Sequence, residues 1–313
     1  MRVPVPESEP PMVRPSVAEA DREIGVRHSV LAHGFVALVD YMGDDAAIVQ
    51  AARVSYGRGT KSIRDDRGLI RYLLRHRHTT PFEMVELKFL VRLPIFVARQ
   101  WIRHRSASTN EYSARYSVVP DEFEVPLPEE VRHQSLRNRQ GRGDPLDPQV
   151  VERFRTDLER VSTEAYAAYS RALEAGVARE TARLVLPVAY YTQWYWKVNL
   201  WNLFHFLSLR LDPHAQEEIR LYAAVVAKLG RLVCPIAFEA FDEFVLEGLT
   251  LGRREQAALR GLLDGATPAA ACRAAGLPLK REDGRPMTTG EGVEFLEKLA
   301  KLRGTEAPVD PDG

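Results

Sequence analysis

Apolar and polar positions change period several times along this chain, and each change predicts an element. Val85, Leu87, Phe89, Val91 and Leu93 alternate with Glu86, Lys88 and Arg92, the period of two expected of a strand with one polar face. A second strand is predicted over Ala189 to Val198, with Tyr190, Thr192, Trp194, Trp196 and Val198 on one side, and a third over Phe35 to Tyr41. Helical spacing marks Ala46 to Ser55, closed by Gly57 and Gly59, then Asp66 to His76, and then an amphipathic helix from Ile95 through Trp101 and Ile102. That last pattern puts Arg99 and Arg103 on one face, with Gln100 near Arg103. Between these, Thr80, Pro81, Phe82 and Glu83 predict a single turn opened by a capping box at Thr80.

Downstream, Leu127 to Pro148 is rich in Arg, Pro, Gly and Asp and predicts an exposed excursion before a long helix from Pro148 to Ala175. Asn199 is placed to cap a helix over Leu200 to Leu209, and further helices are predicted over Pro213 to Val233 and Ile236 to Leu246. The fold class that follows is α+β, an antiparallel twisted sheet with packed helices rather than parallel βαβ winding. Residues 1–18, with five prolines and few large apolar side chains, are expected to form a disordered arm. A principal domain is expected over 19–249 and a helical extension of unknown role over 250–313, with helices at Arg253 to Leu263 and Gly292 to Arg303 around TPAAACRAAGL.

The 313 residues are 45% hydrophobic, enough for a substantial core. Forty-three basic and 43 acidic residues cancel, which disfavours a surface given over to nucleic acid but leaves room for a local basic pocket. No apolar run reaches the length of a membrane span and the N-terminus lacks the apolar centre of a signal peptide, so a cytoplasmic protein is expected. Cys234 and Cys272 form no disulfide framework or zinc pattern, and the histidines of HRH at 76 to 78 lack a second ligand cluster, so no metal is expected. Neither a G-x-G-x-x-G after a strand nor a P-loop is present.

The densest chemistry lies from Arg99 to Tyr116, RQWIRHRSASTNEYSARY, where four arginines, a histidine and many small hydrogen-bonding side chains crowd together. Arginine forks suit phosphate, and Ser, Thr, Asn and Glu suit the polar edge of a base or sugar. Taken alone, Arg103, His104 and Arg105 would also serve to complement a helix C-terminus. Their spacing to Ser113, however, gives R-H-R-x7-S, followed by Arg115, and this resembles the hallmark of the flavin-dependent thymidylate synthases. The resemblance runs from about Val36 to Val245 and takes in AARVSY at 51 to 56, HTTPFE at 78 to 83, RLVLP at 183 to 187 and NLWNLFHFLSLRLDPHAQEEIR at 199 to 220, with HAQ carried on a helix.

The resemblance implies reductive methylation of dUMP to dTMP, with methylenetetrahydrofolate as carbon donor and FAD, reduced by NADPH, as hydride source. It implies FAD contacts at Ser55, His78, Thr80, Arg103, His104, Arg105, Glu111, Asn199, Leu200, Trp201 and His205, where His205 replaces an asparagine common in the family. It implies dUMP contacts at Gln100, Arg103, Glu111, Ser113, Ala114, Arg115, Arg183 and Arg210. Arg210 is the catalytic candidate, stabilising negative charge as the uracil N3 loses its proton; the plainer alternative is a helix C-terminal arginine paired with Asp212. Phe82, Tyr112, Trp194, Trp196 and Trp201 are available either to stack on ligands or to fill the core. Ser113 has no recognisable triad around it, and Cys234 in RLVCPIAF has an apolar setting unsuited to a thiolate nucleophile. A homotetramer with active sites shared between subunits is also implied, with neither membrane nor nucleic acid as partner. The alternative function class is a nucleic-acid-binding regulator, since the Ala-rich stretch after Thr267 is loosely similar to a helix-turn-helix.

Overall fold

The computed structural model describes residues 14–54, 66–135, 141–281 and 283–305. Its helices are α1 Ala18–Asp21, α2 Asp45–Val54, α3 Asp66–Arg75, α4 Thr80–Glu83, α5 Ile95–Trp101, α6 Pro148–Glu174, α7 Arg179–Ala182, α8 Leu200–Arg210, α9 Glu217–Val233, α10 Pro235–Phe241, α11 Arg253–Leu263, α12 Pro268–Ala274 and α13 Glu291–Arg303. Five strands form one antiparallel sheet in the order β1 His28–Val30, β2 Gly34–Met42, β3 Glu86–Pro94, β7 Tyr191–Asn199, β4 Ser108–Glu111. A separate pair joins β5 Arg132–Gln134 to β6 Arg142–Pro145. The α+β class expected from the pattern is the class found.

The alternation in β3 sets the sheet's register. Leu87, Phe89 and Val91 stand opposite Val198, Trp196 and Trp194 of β7, and all six are buried on the face that α8 and α9 cover. Such cross-strand aromatic and β-branched pairs are the unit of sheet stability. On the other face Lys197 Nζ meets Glu86 at 3.0 Å and Lys88 lies over the Tyr195 ring. Helix α9 passes Gly230 against Phe238 of α10, where a Cβ would stand 2.5 Å from the ring, so the absence of a side chain is what lets the two helices close. Asn199 caps α8 as expected, its Oδ1 accepting from Asn202 N at 2.9 Å.

Four local expectations need correction. Thr80 is not the cap of α4: the N-cap position belongs to Thr79, and no side chain bonds there. Helix α5 stops at Trp101, so Arg103 sits in a turn and does not share a helical face with Arg99; the amides of Arg103 and His104 close back onto Gln100 O and Trp101 O. HAQ precedes α9 instead of riding on it, because Asp212 draws the His214 amide into a turn and Gln216 becomes the N-cap. The predicted helix to Leu246 is α-helical only to Phe241 and continues as a π-helical turn. Gly57 and Gly59 lie outside the described residues, as does the arm up to Val13; Arg14 Nη2 donates to Asp40 and to Tyr41 O.

By contacts the chain divides into residues 1–131 with 145–246, and residues 132–144 with 247–313. The second unit has its own apolar cluster, including Ala258, Cys272, Leu277, Phe295 and Leu299. After α12 the backbone turns at Gly276 and forms an isolated bridge between Lys280 and Pro286, and α13 starts only at Glu291. No helix follows α12 directly among the described residues, whereas α11 and α12 are themselves joined by the four residues 264–267.

Candidate active site

The termination of α5 is what builds the site. By leaving the helix at Ile102, the chain swings Arg103, His104, Arg105, Ser106 and Ala107 across the end of β7 before re-entering the sheet as β4, paired with Trp194 to Lys197. Helix α8 faces this turn. Its Asn202, His205, Leu209 and Arg210 recur at helical spacing and, with Trp196 and Val198 of β7, line the opposite wall. Together these residues enclose a cavity of about 480 Å³, within the range of small-molecule sites.

Among the described residues, three guanidinium groups and two imidazoles line this cavity and no carboxylate does. Arg210 is not paired with Asp212, which instead accepts from His214 N at 2.7 Å and His214 Nδ1 at 2.9 Å. Arg210 Nε donates to His104 Nε2 at 3.0 Å. Burial lowers the proton affinity of Arg210, and His104 is pushed down to about 4 by burial first, then by the Arg210 and His205 charges. The histidine is therefore neutral at neutral pH. The floor is aromatic: His104 packs edge-on against Phe206 at 4.9 Å, Phe206 stacks on Trp101 at 4.7 Å, and Trp101 meets Trp196 at 5.1 Å. A cationic, carboxylate-free pocket with a planar apolar wall fits an anionic aromatic ligand.

The remaining candidates fall outside the cavity lining. Glu111, at the end of β4, accepts from Thr192 Oγ1 at 2.7 Å. Ser113 Oγ accepts from the Arg115 amide at 3.3 Å, and Ala114 packs beside Val119, Tyr169 and Tyr190. Arg115 pairs with Glu180 at 3.2 Å, and Arg183 Nε donates to Glu180 O at 3.4 Å, so both arginines are exposed around α7. Gln100 donates through Nε2 to Gln216 Oε1. His78, before α4, and Thr80, its first residue, are exposed, with His78 stacked near Tyr72 at 5.9 Å. Asn199 is engaged as a cap, Leu200 is fully buried with its amide given to Val85 O, and Trp201 lies 6.3 Å from Phe82. Ser55 lies outside the described residues. Among the candidate stacking residues, Phe82 and Trp194 are core, whereas Trp196 reaches the cavity wall.

Sequence reasoning missed Asn202 and Leu209, although their three- and four-residue spacing from His205 on α8 was a legible signal. It also missed Glu180, Gln216 and Thr192, partners that only folding brings to Arg115, Gln100 and Glu111. His76 and His78 flank Tyr72, at 4.4 and 5.9 Å between ring centres.

Residues 37–236 match the family model described as thymidylate synthase complementing protein. Two relatives, each named flavin-dependent thymidylate synthase, come from Thermus thermophilus (58% identical, covering 75% of this chain and 85% of the relative) and Wolbachia pipientis (53% identical, 80% and 89%). Among solved structures, a UMP/dUMP methylase, PolB from Streptomyces cacaoi bound with 5-Br dUMP, is similar with a TM-score of 0.62 and 39% identity, covering 70% of this chain and 99% of that one. The family match, these identities and a cationic cavity built from the R-H-R turn and Arg210 together mean that the chain belongs to the flavin-dependent thymidylate synthase family.

Proposed function

We infer that this chain is a flavin-dependent thymidylate synthase that converts dUMP to dTMP, with methylenetetrahydrofolate as carbon donor and NADPH as reductant of FAD. The observation that carries the reading is the neutral His104 holding Arg210 at a carboxylate-free cationic cavity. The donor set fits the cofactor: FAD combines an anionic pyrophosphate with planar rings, and the cavity combines arginines with Trp196 and Val198. Arg103, His104, Arg105 and His205 would hold it there, with Ser55, His78, Thr80, Glu111, Asn199, Leu200 and Trp201 as further contacts. When bound, FAD supplies the hydride that completes the methyl group.

The chain's own residues bind, orient and place charge. Arg115 and Arg183, with Gln100, Arg103, Glu111, Ser113 and Ala114, bind dUMP, the two exposed arginines exchanging Glu180 for phosphate. Arg210 stabilises the negative charge that the uracil gains as N3 loses its proton. No cysteine takes part: Cys234 is buried and its thiol is pushed well up by burial, the reverse of an activated nucleophile.

Arg115 and Arg183 lie outside the cavity that holds Arg210, which supports a homotetramer whose sites are shared between subunits. No helix among the described residues is long and apolar enough to cross a membrane. A cytoplasmic location suits a nucleotide-forming enzyme. Mixing Arg115→Ala and Arg210→Ala subunits tests the assembly. Random reassembly of two inactive variants restores roughly a quarter of the sites if each needs both chains. Zero recovery after verified exchange would refute shared sites and leave the chemistry untouched.

A further inference from the structure

The Arg210 side chain makes one hydrogen bond among the described residues, from Nε to His104 Nε2 at 3.0 Å. Its two terminal nitrogens have no partner among the described residues, and the residue lines the cavity. Accepting at Nε2 is open only to a neutral imidazole whose proton is on Nδ1. We propose that His104 is a positioning residue for Arg210, its Nε2 fixing the guanidinium by the Nε–H so that both Nη groups remain free for the uracil. The inference rests on the proposed function of the site and gives a member of the R-H-R turn a task toward the substrate-side arginine.

The imidazole is itself held. Its backbone amide donates to Trp101 O at 3.0 Å, and its ring lies edge-on to Phe206, which is stacked on the fully buried Trp101. The titratable and charged groups around it are Arg210 and His205 on α8 and Arg103 and Arg105 in its own turn, and among the described residues no acidic side chain lines the cavity to draw a proton onto it. Burial first, and then the neighbouring Arg210 and His205, keep it neutral, in the one state that accepts from Arg210. A phenylalanine would satisfy the same aromatic floor without holding Arg210, so packing and positioning are separable.

The test compares H104F, which keeps the ring, with H104Q, whose Oε1 restores an acceptor at similar reach, each alone and with Arg210→Ala. Turnover is read per bound flavin. H104F is expected to lose about 10²-fold in kcat, the scale of a misplaced catalytic group, with a much smaller change in the KM for dUMP. H104Q keeps most of the wild-type kcat, and with Arg210→Ala the two substitutions become indistinguishable. Equal kcat for H104F and H104Q beside an intact Arg210 would overturn the role. A flavin-free readout stands beside it: histidine NMR titration of His104, near 4 in the wild type, moves upward when Arg210→Ala removes the neighbouring charge. An unmoved midpoint would also overturn the pairing. A wild-type protein that makes no dTMP would instead defeat the functional reading, and the titration would still judge the pair.

Discussion

Replacing Arg210 by alanine removes the cation proposed to face the uracil, and the structure sets how much that should cost. A preorganised donor facing developing charge is worth about 2.7–4 kcal/mol, or 10²–10³ in kcat, when water is excluded. Arg210 is only partly buried, and Leu209 beside it is 48% exposed, which places the expectation at the lower end, about 10²-fold. The fold should hardly notice. Asp212 is not stranded, because His214 already occupies it, and the one hydrogen bond lost, to His104, is worth about 1 kcal/mol. The assay is dTMP formation per bound flavin at saturating dUMP, with a urea melt as control. Near-normal turnover in the variant, or a collapse of turnover that merely tracks unfolding, would refute a charge-stabilising role.

Other predictions follow from the same geometry. Cys234→Ala with Cys272→Ala is expected to retain thymidylate formation, since both thiols are buried and neither lines the cavity; loss of turnover with fold and flavin intact would restore a cysteine mechanism. Arg77 closes α3 with φ +57°, its amide on Leu74 O and the His78 amide on Leu73 O, the left-handed helix end that glycine prefers. Arg77→Gly should therefore raise the urea midpoint, by about 1 kcal/mol of stability, and a lower midpoint would contradict the strain. His104 takes up a proton at about 4 when folded against 6.5 when unfolded, so the stability it confers is fully present above pH 6.5 and is lost as pH falls from 6.5 to 4. H104Q should flatten that part of the stability profile, and an unchanged slope would show that His104 does not titrate in this window.

What the sequence disclosed and what it hid divide along the range of the interactions. The β3 alternation, the paired face of β7 and the Asn199 cap are local patterns, and the structure has them almost residue for residue. Strand β4 carried no such signal: Ser108 to Glu111 are all polar and exposed, and they become a strand only because the edge of β7 offers backbone partners. The end of α5 was equally hidden, since Arg103 and His104 continue a good helical pattern but are needed in the turn that faces α8. The R-H-R-x7-S spacing pointed to the chemistry, whereas the His104 to Arg210 hydrogen bond joins residues 106 positions apart and emerges only from the fold.

The central claim is tested most directly by incubating the purified protein with dUMP, methylenetetrahydrofolate and NADPH, with and without added FAD after the flavin has been stripped, and measuring dTMP by mass spectrometry. The account predicts dTMP in amounts that rise with bound FAD and none without it. Equal dTMP from the flavin-stripped protein, or none from the flavin-loaded one, would contradict it.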